Sequence, residues 1–133
     1  VIALALDGHP KEQLLSPEGA LREAFNKESL CPVIEAIAGG SYQDKELPQI
    51  RGSGYVVHTL EAALWALATT DDFQSGLLKV VNLGEDADTT GAVYGQLAGA
   101  IYGLDGIPQE WVIKLAMREL IKDYAFRLAV VSE

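Results

Sequence analysis

Hydrophobic residues recur at helical spacing along most of the chain, and the alternating pattern typical of strands is scarce. The clearest periodic segment contains five apolar positions at i, i+4, i+7, i+8 and i+11, namely Val56, Leu60, Ala63, Leu64 and Leu67. Because this spacing places all five on one side of a helix, it predicts an amphipathic helix from Val56 to Ala68.

Start and stop signals predict further helices on either side of this segment. Ser16-Pro17-Glu18 combines a capping serine with a proline at the first helical position, and Asp71 or Asp72 caps a later helix. Residues 41–54 contain one proline, two glycines and little periodicity, so they are predicted to form the longest loop. The predicted helices cover 1–6, 20–25, 32–38, 56–68, 73–82, 90–103 and 111–130. The predicted fold class is therefore all-α, a compact multi-helix assembly.

Glycine occupies every fourth position of the helix predicted over 90–103, at Gly91, Gly95, Gly99 and Gly103. Each interior glycine costs a helix about 1 kcal/mol relative to alanine, so packing has to compensate. A glycine stripe lets a second helix approach closely, which is the main prediction. Gly91 also lies next to an acidic segment, where a missing side chain could leave room for a ligand.

Composition and charge narrow the class of protein. The 133 residues suit one domain, and 49% hydrophobic with 22% charged residues is an ordinary globular mixture. A net charge of −9 argues against a nucleic-acid partner, and no apolar run approaches the length of a membrane span. A single cysteine excludes an intrachain disulfide, so a cytoplasmic setting is expected. The sequence opens at Val1 in what looks like a helix already under way, which suggests a piece of a longer protein.

Asp86-Ala87-Asp88-Thr89 is the strongest candidate for chemistry. Two carboxylates and a hydroxyl within four residues are hard oxygen ligands, which suit magnesium, manganese or calcium rather than zinc. Simple helix capping by Asp88 or Thr89 would explain one acidic residue, but not three in the segment that begins at Glu85. An EF-hand loop is rejected because Leu97 falls where a bidentate glutamate is required. A catalytic metal site fits, provided that other helices, substrate or water supply more ligands.

Two motifs carry a resemblance to a known family. Residues 82–91 read Asn-Leu-Gly-Glu-Asp-Ala-Asp-Thr-Thr-Gly, and residues 51–65 read Arg-Gly-Ser-Gly-Tyr-Val-Val-His-Thr-Leu-Glu-Ala-Ala-Leu-Trp. In this order and separation they resemble the ADP-ribosylglycohydrolases, most closely the branch that includes the dinitrogenase reductase-activating glycohydrolase. The similarity runs from about Pro32 to Leu115.

The resemblance implies an all-α fold with a centre of two divalent cations, Mg²⁺ or Mn²⁺. Such an enzyme hydrolyses the glycosidic bond between ADP-ribose and a protein side chain, typically arginine. Carried over by position, Asp86, Asp88 and Thr89 would be metal ligands, with Asp88 bridging the two ions. Tyr55 would contact bound ADP-ribose, with Gly91 as a further substrate-binding position.

One departure from the family pattern limits what this chain can hold. The family's other metal ligands, a Thr-Asp-Asp cluster and another acidic residue, lie well upstream of these motifs. Thr70-Asp71-Asp72 has a similar spelling, but it follows the Tyr55 motif and is predicted to start a helix. Residues 1–133 are therefore predicted to be the C-terminal part of a single domain that needs its upstream part, and no catalytic residue is assigned within them.

The predicted function is metal-dependent removal of ADP-ribose from a modified protein or a small ADP-ribosyl compound. The alternative is a non-catalytic relative that binds ADP-ribose or another nucleotide, or that has only a structural role. Two residues near the Tyr55 motif carry further expectations. His58 is expected to be a partly exposed or hydrogen-bonded structural histidine, and Glu61 either braces the metal loop or lies on a solvated helix face.

Overall fold

The computed structural model describes residues 1–18 and 30–131, and the regular secondary structure of these residues is entirely helical. The helices are α1 (Ile2–Leu6), α2 (Lys11–Leu15), α3 (Pro32–Ala38), α4 (Val56–Ala68), α5 (Phe73–Val81), α6 (Ala87–Tyr102), α7 (Gln109–Lys114) and α8 (Arg118–Val131). A 3₁₀ turn at Leu104–Gly106 follows α6. The all-α prediction is confirmed, and the helix predicted over 20–25 lies outside the described residues.

Helices α4, α5 and α6 pack on one another and form the centre of the fold. The predicted bounds of α4 are confirmed. The residue predicted to be buried in its first turn is wrong. Val56 is 71% exposed there, and its neighbour Val57 is the buried residue. Further along, α4 is buried on every side over residues 61–67. A run of buried residues this long removes the solvated face that an amphipathic pattern implies.

The glycine stripe of α6 packs closely at only one of its interior positions. A Cβ atom on Gly91 would lie 3.1 Å from Val81 Cγ1 of α5, whereas none of the described residues lies within 4 Å of a Cβ on Gly95 or Gly99. Gly103 follows the helix with φ 69°, a left-handed conformation that favours glycine. The prediction of a closely packed stripe is therefore wrong at Gly95 and Gly99 within the part of the chain described.

The tightest contact between α5 and α6 occurs instead at Gly76. A Cβ there would overlap the Tyr94 hydroxyl and lie 2.7 Å from Thr70 Oγ1. Tyr94 is fully buried, and its burial raises the pKa of the phenol to about 12. Its hydroxyl donates a hydrogen bond to the Asp72 carbonyl at 3.4 Å. Because Gly76 has no side chain, the ring of Tyr94 can fill the space between the helices.

The long C-terminal helix predicted over 111–130 is wrong, because the chain breaks between α7 and α8. Leu115 adopts extended backbone angles, and Met117 lies in the left-handed region with φ 56°. Neither proline nor glycine occurs between the two helices, so the sequence contains no local signal for the break. None of the residues of α8 is buried among the described residues.

No helix within residues 1–18 and 30–131 is both long and apolar enough to cross a membrane. The cytoplasmic setting expected from the sequence stays a prediction.

Candidate metal and ligand site

Two turns lie side by side at one end of α4 and α5. The glycine-rich turn (residues 51–55) precedes α4, and the acidic turn (residues 84–89) follows α5 and includes the first three residues of α6. The Asp86 backbone N–H donates a hydrogen bond to the Gly52 carbonyl at 2.8 Å. A Cβ on Gly52 would lie 3.0 Å from Leu83 Cβ and 3.1 Å from the Gly84 carbonyl oxygen. The absence of a side chain at residue 52 therefore lets the two turns meet.

Asp86 occupies the N-cap position of α6, but its side chain makes no capping hydrogen bond. The helix begins at Ala87, three residues earlier than the predicted Thr90, so capping by Asp88 or Thr89 is wrong. The Asp86 carboxylate faces the glycine-rich turn instead, since a Cβ on Gly54 would lie 2.9 Å from Asp86 Oδ2. The carboxylate is thus not engaged as a helix cap.

Asp88 lies exposed in the first turn of α6, close to Asp86. A hydrogen bond with the Asp86 side chain holds the pKa of the Asp88 carboxyl below its usual range, and the backbone N–H groups of Thr89 and Asp88 lower that pKa further. The positive end of a helix dipole also favours negative charge at this position. The structure therefore brings the two predicted carboxylates together at the start of α6, with Thr89 exposed beside them.

The donor set of the acidic turn suits one face of a divalent-cation site. Asp86 and Asp88 contribute carboxylate oxygens and Thr89 a hydroxyl, which are ligands that magnesium and manganese accept. In the described ranges, no group of three or more His, Cys, Asp and Glu side chains is arranged to hold a metal ion. The three residues could therefore hold a cation only together with water, a ligand or further protein groups.

Glu85 forms an ion pair with Arg51. Arg51 Nη2 lies 3.3 Å from each carboxylate oxygen of Glu85, and the ion pair joins the two turns. Glu85 has φ 55°, an uncommon angle for a residue with a side chain. The crowding of three acidic residues is thereby reduced to the Asp86–Asp88 pair. Since both partners are about half exposed, the ion pair itself contributes little to stability.

The glycine-rich turn is anchored to α4 by hydrogen bonds of Ser53. Its hydroxyl lies 2.7 Å from His58 Nδ1, and its carbonyl accepts a hydrogen bond from the Thr59 hydroxyl at 3.0 Å. Tyr55, 56% exposed, meets the His58 ring edge-on with 5.1 Å between ring centroids. The expectation of a hydrogen-bonded His58 is confirmed. The partner Ser53 was not predicted, although a serine between two glycines directly before a helix is a recognisable turn signal.

Two other acidic residues, Glu61 and Asp72, form hydrogen bonds outside the two turns. Glu61 is only 7% exposed and accepts a hydrogen bond from Lys45 Nζ at 2.6 Å, so the expected solvated face is wrong, and bracing of the metal loop by Glu61 stays a prediction. Asp72 caps α5 by accepting a hydrogen bond from the Ser75 N–H at 2.7 Å, which confirms that Thr70-Asp71-Asp72 starts a helix.

Gly91 lies in the second turn of α6, next to the acidic turn. The space for its missing side chain faces Val81 and Leu77 of α5. This glycine therefore serves the packing of the two helices, and a contact between its backbone and a substrate stays a prediction.

The fold thus brings two neighbouring aspartates at a helix start against a glycine-rich turn. The chain belongs to the ADP-ribosylglycohydrolase family, whose model matches residues 1–133.

Two curated relatives illustrate how much of such a protein the chain represents. It is 47% identical over 125 residues to the ADP-ribosylarginine hydrolase Tri1 of Pseudomonas putida (strain GB-1), covering 94% of this chain and 32% of that protein. It is 50% identical over 68 residues to the ADP-ribosyl-[dinitrogen reductase] glycohydrolase of Rhodospirillum rubrum, covering 51% of this chain and 23% of the relative. The chain thus spans about a third or less of the length of these relatives.

A solved structure described as an ADP-ribosylglycohydrolase-related protein complex has the same fold. It superposes with a TM-score of 0.87 at 45% identity, covering 99% of this chain and 44% of that one. The described helices therefore correspond to a little under half of a related chain.

Proposed function

We propose that this chain contributes part of the active site of a metal-dependent hydrolase that removes ADP-ribose from modified arginine side chains. The observation that carries the proposal is the pair of adjacent carboxylates, Asp86 and Asp88, at the start of α6. The Asp86 carboxylate does not cap that helix, and the Asp88 side chain is exposed, which leaves both carboxylates accessible as ligands. The relatives' names, ADP-ribosylarginine hydrolase and ADP-ribosyl-[dinitrogen reductase] glycohydrolase, support the substrate class.

The proposed cofactor is a pair of Mg²⁺ or Mn²⁺ ions, and Asp86, Asp88 and Thr89 would hold one side of it. Divalent ions in hydrolases supply an activated water and neutralise developing negative charge. The residues of this chain would hold the Asp86 carboxylate in place for the metal ions. The Gly52 carbonyl fixes the backbone of Asp86, and Gly54 leaves space for its carboxylate.

Tyr55 is the proposed contact for the ADP-ribose moiety. Its ring is exposed and follows directly after Gly54, which borders the Asp86 carboxylate. An exposed aromatic ring beside a polar site offers a flat apolar surface on which a base or sugar can pack. A ligand that contacts Tyr55 would therefore lie next to the acidic turn.

The remaining metal ligands are proposed to come from the rest of the polypeptide. The chain is matched over only 32% of the length of the Pseudomonas putida relative, and the described residues supply only one side of a cation site. Activity is accordingly proposed for the complete protein.

The test is release of ADP-ribose from an ADP-ribosylated arginine peptide by the complete polypeptide, with manganese or with EDTA. We expect release that needs manganese and that is lost in Asp86→Ala. Asp71→Ala is the matched control, because Asp71 is a fully exposed aspartate outside the two turns, with Lys11 Nζ 3.8 Å away. Release that persists in EDTA, or in Asp86→Ala, would contradict the metal role. Binding of ADP-ribose without release would instead favour the non-catalytic alternative, which the exposed Tyr55 ring also fits.

A further inference from the structure

His58 contacts two parts of the candidate site at once. Its Nδ1 atom lies 2.7 Å from Ser53 Oγ, and its ring meets the Tyr55 ring at 90° with 5.1 Å between centroids. The two contacts use different features of the imidazole, a ring nitrogen for the first and the ring itself for the second. One side chain thus sets the Tyr55 ring relative to Ser53.

Ser53 in turn is held firmly against α4. Its carbonyl accepts a hydrogen bond from Thr59, which is 2% exposed, and its hydroxyl lies 3.4 Å from the Tyr55 backbone nitrogen. The neighbours of Ser53 on either side are the two glycines that contact the acidic turn. His58 therefore connects the Tyr55 ring to the stretch of backbone that borders the Asp86 carboxylate.

Tyr55 needs such support because it stands at the N-cap of α4 and is 56% exposed. A surface ring that is free to change rotamer loses that freedom when a ligand packs on it, which weakens binding. We propose that His58 is a positioning residue, which holds the Tyr55 ring in the orientation that binds the ADP-ribose moiety. This inference rests on the proposed function, since it requires that Tyr55 contacts the ligand.

Three substitutions in the complete polypeptide separate the two contacts. His58→Phe keeps a ring beside Tyr55 without the hydrogen bond, His58→Asn keeps a polar atom for Ser53 without the ring, and His58→Ala removes both. For each variant, the Kd for ADP-ribose is measured by calorimetry in the presence of manganese. KM and kcat are measured on an ADP-ribosylated arginine peptide, and Tm and manganese affinity are measured alongside.

We expect His58→Ala to raise Kd and KM by about 2- to 12-fold, the effect of leaving one side chain to be ordered by the ligand. The values for His58→Phe and His58→Asn should lie between those of His58→Ala and the wild type. We expect kcat and manganese affinity to stay at wild-type values. His9→Ala is the matched control, because the His9 side chain is hydrogen-bonded to Gln13 and lies far along the sequence from the site.

Each other outcome overturns the inference in a recognisable way. Wild-type Kd and KM in His58→Ala, with an active wild-type enzyme, would remove the positioning role and leave the proposed function intact. A parallel fall in Tm, kcat and manganese affinity would show a merely structural histidine. Failure of the wild-type protein both to bind and to release ADP-ribose would overturn the proposed function and this inference together.

Discussion

Gly54→Ala tests whether the spacing between the two turns sets the position of the Asp86 carboxylate. The new Cβ would lie 2.9 Å from Asp86 Oδ2, and restoring an ordinary contact of 3.4 Å requires the carboxylate to move by about 0.5 Å. Metal sites tolerate deviations of only about 0.2 Å in ligand distance. Changes that disturb the orientation of a ligand typically reduce metal affinity by about 10- to 100-fold. We therefore expect manganese affinity in the complete protein to fall by that factor, about 1.4–2.7 kcal/mol.

The same substitution should have little effect on stability, because the displaced atom is the end of a flexible side chain. Gly52→Ala is the informative comparison, since its Cβ would press on the Gly84 backbone carbonyl at 3.1 Å and should lower Tm. Manganese affinity is measured by calorimetry, and Tm by thermal unfolding in EDTA. Wild-type manganese affinity in Gly54→Ala, with Tm unchanged, would refute the role assigned to Asp86 as a ligand placed by this turn.

Two predictions concern the contact between α5 and α6. Gly76→Ala should lower the unfolding free energy in urea by about 1–2 kcal/mol, because overpacking against Tyr94 outweighs the helix-propensity gain of about 1 kcal/mol. Adding Tyr94→Phe should recover part of that loss, and a stabilised Gly76→Ala would contradict the packing described. The second prediction follows from the raised pKa of Tyr94, about 12. Between pH 10 and 12 the unfolded chain loses the phenol proton that the folded chain keeps, so stability should fall as pH rises through this range. The fall should be smaller in Tyr94→Phe, although not absent, because burial also raises the pKa of Tyr42. An equal fall in both proteins would be the contrary result.

Local patterns predicted those parts of the fold that local interactions determine. Helix α4 has a long periodic run between a glycine-rich turn and a threonine pair, and its bounds agree with the structure. The predicted start of α6 at Thr90 is three residues late, because Asp88 and Thr89 fit the pattern of ligands in a loop. Both residues are also compatible with the first turn of a helix, where negative charge is favoured. The break between α7 and α8 carries no proline or glycine, so the sequence contains no local signal from which to predict it.

The candidate site also has a part that the sequence predicts and a part that depends on long-range contacts. Asp86 and Asp88 are two positions apart, so their proximity follows from the sequence alone. The contacts of Gly52 and Gly54 with the acidic turn join residues more than thirty positions apart. Such contacts depend on how α4 and α5 pack, because this packing brings the end of α5 next to the start of α4. Hydrophobic periodicity does not specify the packing of two helices. The prediction of close packing along the glycine stripe fails at Gly95 and Gly99 for a related reason. Glycine spacing shows where close packing is possible, but it does not show where a partner helix lies.

The link between Gly52 and Asp86 gives the site a thermodynamic connection to the fold. Helices α4 and α5 form an antiparallel pair, and the hydrogen bond from Asp86 to Gly52 closes that pair at its base, where Arg51 and Glu85 also meet. Opening the pair would therefore separate the two turns. By linkage, any ligand that binds only when the turns are together must stabilise the closed pair, by an amount set by the ligand's concentration relative to its Kd. Protection of the amides of α4 and α5 from hydrogen exchange would thus become a measure of occupancy at the site.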